Sequence, residues 1–494
     1  MFILNYGKSL PSKRRDGEGY PVYGSNGVVG NHSEAFIDGP AIVVGRKGSI
    51  GEAHFSEGPC SPIDTTYFIS EFHGQPPRLW LYFLRHLGLA RLDRASAIPG
   101  LNRQDAYKQL APVAPLGEQR RIVAKIEALQ TCSETAKEAL DAIPPLLEKF
   151  RQSVLAAAFR GDLTKVWRDA NPDVEPASEL LERIRTERRK RWIADAAEMG
   201  RAKTEGKARK TGEPWSKADD AEALEKEQAK AAKKYKEPEP VDVEGLPELP
   251  ERWCWAYLGD LHDLAENSMT DGPFGSKLKS AHYVEFGVRV IRLGNLGVGE
   301  FKNLDKSYVT EQHFESLRKH QVFPGDLLIA ALAEPVGRCC RVPDGIGTAI
   351  VKADCIRFVP HSLVAPRFMM HWMNSPGGTR NSERLSHGIG RLRINMANLR
   401  AVPVPLAPIE EQEVVANTVE LLMSRCASTA GAVQQSTERL YALDRSILAK
   451  AFRGELVPQD PNDEPASALL ERIRASRKEA ETKKPKQGRG RKKK

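Results

Sequence analysis

The sequence predicts a mixed α/β (α+β) protein built by tandem duplication, in which two globular heads alternate with two long helices packed as an antiparallel coiled coil. Three observations predict it. Residues 116–163 and 409–456 repeat one another at a constant offset of 293 residues. Each copy carries one apolar stripe at alternating spacings of four and three. The stretches ahead of the copies consist of short β-branched or aromatic runs broken by Gly, Pro and Asn.

The repeat comes first because it sets the domain plan. Glu118-Gln119 falls on Glu411-Gln412, Ser153 on Ser446 and Gly161 on Gly454; upstream, Asn102 falls on Asn395, Pro112 on Pro405 and Pro115 on Pro408. Beyond a four-residue shift, EPASELLERIR at Glu175 matches EPASALLERIR at Glu464. The resulting plan is a first head over 1–110, a first spacer helix over 111–163, a charged helical segment and linker over 164–250, a second head over 251–405, a second spacer helix over 406–456 and a charged, basic, disordered tail over 457–494.

In the first spacer the seam runs through Ile122, Ile126, Leu129, Ser133, Ala136, Leu140, Ile143, Leu147, Phe150 and Val154; in the second it runs through Val415, Val419, Leu422, Cys426, Thr429, Val433, Ser436, Leu440, Leu443 and Ile447. Pro115 and Pro408 precede the helices, and Gly161 and Gly454 follow them, as helix boundaries prefer. Some 45 residues at about 1.5 Å each give a rod of roughly 65–70 Å. The weak layers suit two helices of one chain better than a homodimer zipper; the alternative is a helix pair inside a larger bundle. Each copy reads as one long helix; Pro144-Pro145 interrupts the pattern of the first and has no counterpart at Thr437-Glu438, which predicts a kink in the first rod only.

Composition and charge narrow the function less than the repeat does. A chain of 494 residues with 40% hydrophobic and 28% charged side chains can bury two or three cores. It carries no apolar run long enough to span a membrane and no signal-peptide pattern at Met1 to Ser12, so a cytoplasmic location is expected. The seven cysteines include no CxxC pair, which points to reduced thiols and to neither zinc nor a disulfide framework. The net charge of +9 sits almost wholly in the tail, where 477–494 holds ten Lys or Arg against two Glu. Such a tail either holds phosphates non-specifically or is simply solvated. Residues 175–244 read as one or two solvated helices and a semi-rigid linker; Arg188-Arg189-Lys190-Arg191 is either a solvated face or a contact to a partner or to phosphates.

Catalytic signatures do not assemble. Gly7-Lys8-Ser9 lacks the upstream glycine of a phosphate loop, Asn374-Ser375-Pro376-Gly377 is not an amino-methyltransferase motif, and Pro343-Asp344 with Ile350-Val351-Lys352 lacks the second acid of a metal-dependent nuclease. No catalytic residue and no metal site is expected. Reading DNA needs Arg, Lys, Asn, Gln, Ser and Thr on loops that can reach base edges and phosphates. The first head offers Ser25, Asn26, Asn31, His32, Arg46, Lys47, Ser49, Asn102 and Arg103; the second offers Lys277, Lys279, Arg338, Arg341, His387, Arg391, Arg393 and Asn395. The run SHGIGRLRINMANLR, with three arginines near glycines, is the strongest cluster.

The order head, helix, head, helix, with P-x-x-P-x-x-EQ entering each helix and AFRG[DE]L leaving it, resembles the specificity (S) subunits of type I restriction-modification systems. YPVYGSNGVVGNHSEAF, AIVVGRKGSIGEAHF and PIDTTYFI are similar to one class of that family's target-recognition domains, and LPELPERWCWAYLGDL to the usual start of another. The first head departs from the pattern: it opens at Met1-Phe2-Ile3-Leu4-Asn5-Tyr6-Gly7-Lys8 with no such start, so it is expected to be N-terminally short and without an opening strand.

The resemblance implies a non-catalytic subunit that reads an asymmetric bipartite site on double-stranded DNA. It also implies two modification (methyltransferase) subunits and a restriction (translocase/nuclease) subunit as partners, with S-adenosylmethionine, ATP and Mg2+ bound by those partners. Alternatives are an inactive remnant, a sequence-neutral coiled-coil DNA-binding scaffold and a self-sufficient methyltransferase-nuclease.

Overall fold

Ala41–Gly45, a run of five buried residues, is the central strand of the first head. It pairs antiparallel with Ala53–Ser56 on one side and Thr66–Ile69 on the other, and Asn5–Tyr6 closes the far edge against Thr66–Ile69. A computed structural model describes residues 2–92, 100–211, 214 and 216–482. The chain divides into two units, Met1–Ile143 with Gly431–Lys494, and Pro144–Ala430.

In the first unit a second, three-stranded sheet centres on Tyr20–Gly24, between antiparallel Gly27–His32 and parallel Ser61–Pro62. Ser25-Asn26 makes the two-residue turn of that hairpin, and Gly27 supplies the positive φ of 108° it requires. Helix Pro77–Leu87 starts on a proline, buries Leu79 to Phe83 against the four-stranded sheet and stops at Gly88, which is left-handed.

The second head repeats this plan with different residues. Its four-stranded sheet runs Cys339–Arg341, Leu327–Ala330, Cys355–Phe358, Met269–Thr270, the same order as Ala53–Ser56, Ala41–Gly45, Thr66–Ile69, Asn5–Tyr6. Helix Pro366–Met373 follows it as Pro77–Leu87 follows the first. A five-stranded sheet is added, in which Val288–Ile291 and Ala349–Val351 form a parallel pair.

Asn5–Tyr6 is the counterpart of Met269–Thr270: its backbone continues the sheet edge against Tyr67 and Phe68 as Met269–Thr270 does against Arg357 and Phe358. What has no match lies earlier. In the second unit Cys254–Tyr257 pairs with Pro403–Leu406 just before the spacer helix. The equivalent residues 110–113 form no strand, and Leu110 is 91% exposed.

The first spacer forms Leu116–Asp141 and Ile143–Phe159, whereas the second is one helix, Ile409–Phe452. The break at Ala142 puts Pro144 and Pro145 in the first turn of a new helix, where their missing N–H groups cost nothing. Each helix entry is locked alike: Gln119 Nε2 donates to Ala114 O and Gln412 Nε2 to Ala407 O, both at 2.9 Å, which explains the glutamine of the repeated motif.

Within the first unit, Ile122 and Ile126 pack in one core with Ile447 and Ala451, while Lys137 lies 5.1 Å from the Tyr441 ring. Ascending numbers on one helix meet descending numbers on the other, so the pairing is antiparallel. Leu129 and Leu140 are half-buried on the same seam. Within the second unit Val154 and Leu155 share a core with Val415 and Val419, and Leu422 packs on its edge. Full burial of a side chain such as Ile126 or Val419 contributes about 1.5–3 kcal/mol. Leu147 is half-buried, but Phe150 is 48% exposed and leaves the seam expected of it. The polar, small layers toward the middle hold too little apolar surface to draw it in.

Between spacer and second head stand helices Lys165–Ala170, Ala177–Thr211 and Lys217–Lys234, then residues 235–250, which belong to no helix or strand and turn at Gly245. Leu180, Leu181 and Ile184 anchor the long helix in the core that holds Trp253 and Leu258. Of the basic run 188–191, Arg188 turns inward, donating to the carbonyls of Asp260 and His262.

The tail differs from expectation. Ala466–Thr482 is a helix with Leu469 and Ile473 buried, because EPASALLERIR repeats the start of the helix at Ala177, whose Leu180 and Ile184 are buried at the matching positions. Tail residues 483–494 lie outside the described residues. Among the described residues no helix is long and apolar enough to cross a membrane, and the seven cysteines are free thiols.

Candidate nucleic-acid interface

The candidate residues of the first head gather around one loop. Gly45 leaves the central strand, and the backbone N–H groups of Arg46 and Lys47 both donate to Thr65 O, which also accepts the Ser25 hydroxyl at 2.7 Å. The Ser25-Asn26 turn and the 46–49 loop, with Ser49, are therefore tied to one carbonyl. Asn26 and Lys47 point to solvent. Lys47 forms a backbone bridge with Gly100, and Leu101 donates to Arg46 O, which brings Asn102 and Arg103 alongside.

The guanidinium groups of Arg46 and Arg103 both lie over the Tyr6 ring, at 5.3 and 5.1 Å. Cation–π contact holds two positive charges together on an aromatic support, against their mutual repulsion. Tyr6 was not among the candidates; its only signal was an aromatic residue in the opening segment. Ser25, by contrast, is buried and serves the loop's own structure. Asn31 and His32 lie on strand Gly27–His32, where His32 Nδ1 sits 3.2 Å from Asp16. The Asn102 side chain caps helix Arg103–Tyr107, accepting from Gln104 N at 2.8 Å.

In the second head the candidates separate into three places. Lys277 and Lys279 are exposed on two short 3-10 turns braced by His313, which donates to Lys277 O, and by His282, which accepts from Lys279 N. Arg341 is exposed at the end of an edge strand. Arg338 is not a surface group: its guanidinium donates to the carbonyls of Leu296, Pro335 and Leu293, and burial pushes its pKa down.

The basic loop 386–393 is the third place. His387 and Arg393 exchange backbone hydrogen bonds across its neck, and His387 and Arg391 are exposed with Ile389 at the tip, 105% exposed. Arg393 is held by Asp354 at 2.8 Å and lies 5.5 Å from the Phe274 ring, two anchors that its sequence neighbourhood did not reveal. Beneath them burial raises the Asp271 carboxyl to about 6 although Gly272 and Asp354 donate backbone N–H groups to it. Asn395 caps helix Met396–Arg400 as Asn102 caps its counterpart.

These groups are hydrogen-bond donors, cations and an apolar tip on loops, an inventory suited to phosphates and base edges. A cleft of about 940 Å³ in the second unit, lined in part by Arg151, His371, Arg380 and Met423, contains none of them. Among the described residues no group of three or more His, Cys, Asp or Glu is placed to hold a metal ion.

No protein-family model matches the chain. Curated relatives include the specificity subunit of the type I restriction enzyme EcoDI of Escherichia coli, 24% identical over 97% of this chain and 93% of that one. Another is that of EcoBI of Escherichia coli, 25% identical over 76% of this chain and 66% of that one. Among solved structures, a chain from a study of assembly and conformational transition in a type I restriction-modification system aligns with a TM-score of 0.58. The alignment covers 92% of this chain and 96% of that chain at 17% identity, a likeness of fold.

Proposed function

We propose that this chain, a homologue of the type I restriction enzyme specificity subunits, gives such an enzyme its DNA sequence specificity. The observation that carries the reading is that two heads with one sheet order present different basic loops. Arg46 and Arg103 stand over Tyr6 in one, while Arg391 and Arg393 stand on the 386–393 loop in the other. A common scaffold with unlike loops suits the reading of two unlike half-sites, hence an asymmetric bipartite target with a gap set by the spacer helices.

In this reading the chain works in the cytoplasm and carries out no chemistry. Two modification subunits and a restriction subunit assemble on it, and S-adenosylmethionine, ATP and Mg2+ belong to them. The heads' contribution is positioning through phosphates and discrimination through base edges.

Selection from randomised duplexes tests the proposal. A single two-part sequence should emerge and bind more tightly than random duplex by a factor on the order of 10³ or more. Equal binding to every duplex favours the sequence-neutral scaffold instead. Enrichment of one half-site only would mark the other head as inactive.

A further inference from the structure

The most exposed large apolar residue among the described ones is Ile389, at the tip of the 386–393 loop of the second head. The backbone is built to hold it there. Gly388 and Gly390 flank it with positive φ of 117° and 76°, and a Cβ at Gly388 would lie 2.7 Å from Arg391 O, closer than contact allows. His387 and Arg393 close the neck with reciprocal backbone hydrogen bonds at 2.9 Å. Below the neck Ile394 N donates to Ala331 O at 2.9 Å, Leu332 forms a backbone bridge with Arg393, and Asp354 holds the Arg393 guanidinium. The base of the loop is thereby fastened to the end of strand Leu327–Ala330. The Ile389 side chain stands wholly in water, where burial against a partner is favourable.

The surroundings identify the partner. Arg384, His387 and Arg391 of the same run are exposed, none is in an ion pair among the described residues, and residues 384–393 contain no acid. A protein or membrane partner takes a contiguous apolar patch. Here a single aliphatic group stands among cations. Duplex DNA offers the complement: rows of phosphates and, in the major groove, one apolar projection on one kind of base, the C5-methyl of thymine.

We propose that Ile389 is a specificity-determining residue of the second head, packing against the methyl of one thymine in the major groove while the cations around it face phosphates and base edges. The inference rests on the reading of this chain as the source of DNA specificity and adds to it one residue and one base.

The test uses the full-length chain, the two-part duplex selected from random sequence, and the half-site that changes when residues 251–405 are replaced. Each thymine of that half-site is exchanged in turn for deoxyuridine, which removes the methyl and keeps the base pair. At one position the exchange should weaken binding about fourfold, the factor that burial of one methyl-sized group supplies. Ile389→Ser should weaken binding to the thymine duplex by about the same factor, should no longer distinguish the two duplexes, and should unfold at the same temperature as the parent chain. Ile389→Val, which keeps a branched aliphatic group, should retain the discrimination. A half-site without thymine, a parent chain indifferent to every exchange, or an Ile389→Ser chain that still discriminates overturns the proposal and leaves the specificity reading standing. So does a rise in 2-aminopurine fluorescence on binding that Ile389→Ser abolishes, which would make the side chain a wedge between bases. Failure of the selection to yield any sequence overturns the specificity reading itself, and this inference with it.

Discussion

Trp253 Nε1 lies 2.9 Å from Glu411 Oε2, a hydrogen bond that joins the residue just before strand Cys254–Tyr257 of the second head to the spacer helix leaving that head. The other carboxylate oxygen accepts the Thr164 hydroxyl at 2.6 Å and the Arg168 guanidinium. One buried acid thus ties three segments of the second unit together. Glu411→Ala should destabilise this unit by about 3–5 kcal/mol, because it strands a buried guanidinium. Trp253→Phe should cost about 1–3 kcal/mol. Glu118→Gln, at the matching place in the first unit, should be neutral or stabilising, since no side chain among the described residues donates to Glu118 and no donor is lost. Urea unfolding of the three variants distinguishes these outcomes; a large loss in Glu118→Gln would contradict the account of its surroundings.

The spacer seam makes a second prediction. Ile126→Ala in the first unit should cost about 2–5 kcal/mol, because its side chain is fully buried among Ile122, Ile447 and their neighbours. Leu146→Ala, at an exposed position just after the break, should stay within about 0.5 kcal/mol. Thermal unfolding followed by helical circular dichroism reads both.

Most of the architecture was legible because duplication made the chain its own alignment. The constant offset located both spacers, and the prolines at 144 and 145 located the break. The repeat also contained the helix at Ala466, which composition obscured: a Lys- and Arg-rich tail reads as solvated even where Leu469 and Ile473 pack inward. The heads were harder. Their shared strand order rests on backbone pairing between residues distant in sequence and unlike in type, such as Val43 with Phe68 and Leu328 with Arg357. Site residues were legible as clusters only. Whether an arginine faces solvent, as Arg391 does, or is consumed by backbone carbonyls, as Arg338 is, depends on loop geometry that no local pattern encodes.

Two groups of the second head set opposing pH dependences. Burial, reinforced by Arg188, pushes His262 down to about 4, so between about 4 and 6.5 the unfolded chain holds a proton that the folded chain lacks. Stability from this residue is complete above that window and is lost as pH falls through it. Burial raises Asp271 to about 6, so between about 3.8 and 6 the folded chain holds the extra proton, and stability falls as pH rises. Asp271→Asn should therefore stabilise the protein at pH 7, on the order of 2 kcal/mol, and steepen its loss in acid. His262→Gln should flatten that loss. Unfolding free energies measured from pH 4.5 to 7.5 give the slopes; parallel profiles for all three proteins would refute the assignment.

DNA binding separates the two kinds of arginine. Arg391→Ala should weaken binding to a selected duplex by about 1–3 kcal/mol with folding unchanged. Arg338→Ala should lower the unfolding midpoint, because the carbonyls of Leu296, Pro335 and Leu293 each lose one hydrogen bond from its guanidinium. Fluorescence anisotropy alongside thermal unfolding checks both. The reverse pattern would exchange their roles.

The most direct measurement is a map of methylated adenines, by single-molecule sequencing, in cells that express this chain with a type I modification subunit. The account predicts one asymmetric two-part motif with a fixed gap. It should be lost when the chain is deleted and changed in one half when residues 251–405 are replaced by another head. Methylation that persists without the chain, or a motif that the replacement leaves unaltered, would contradict it.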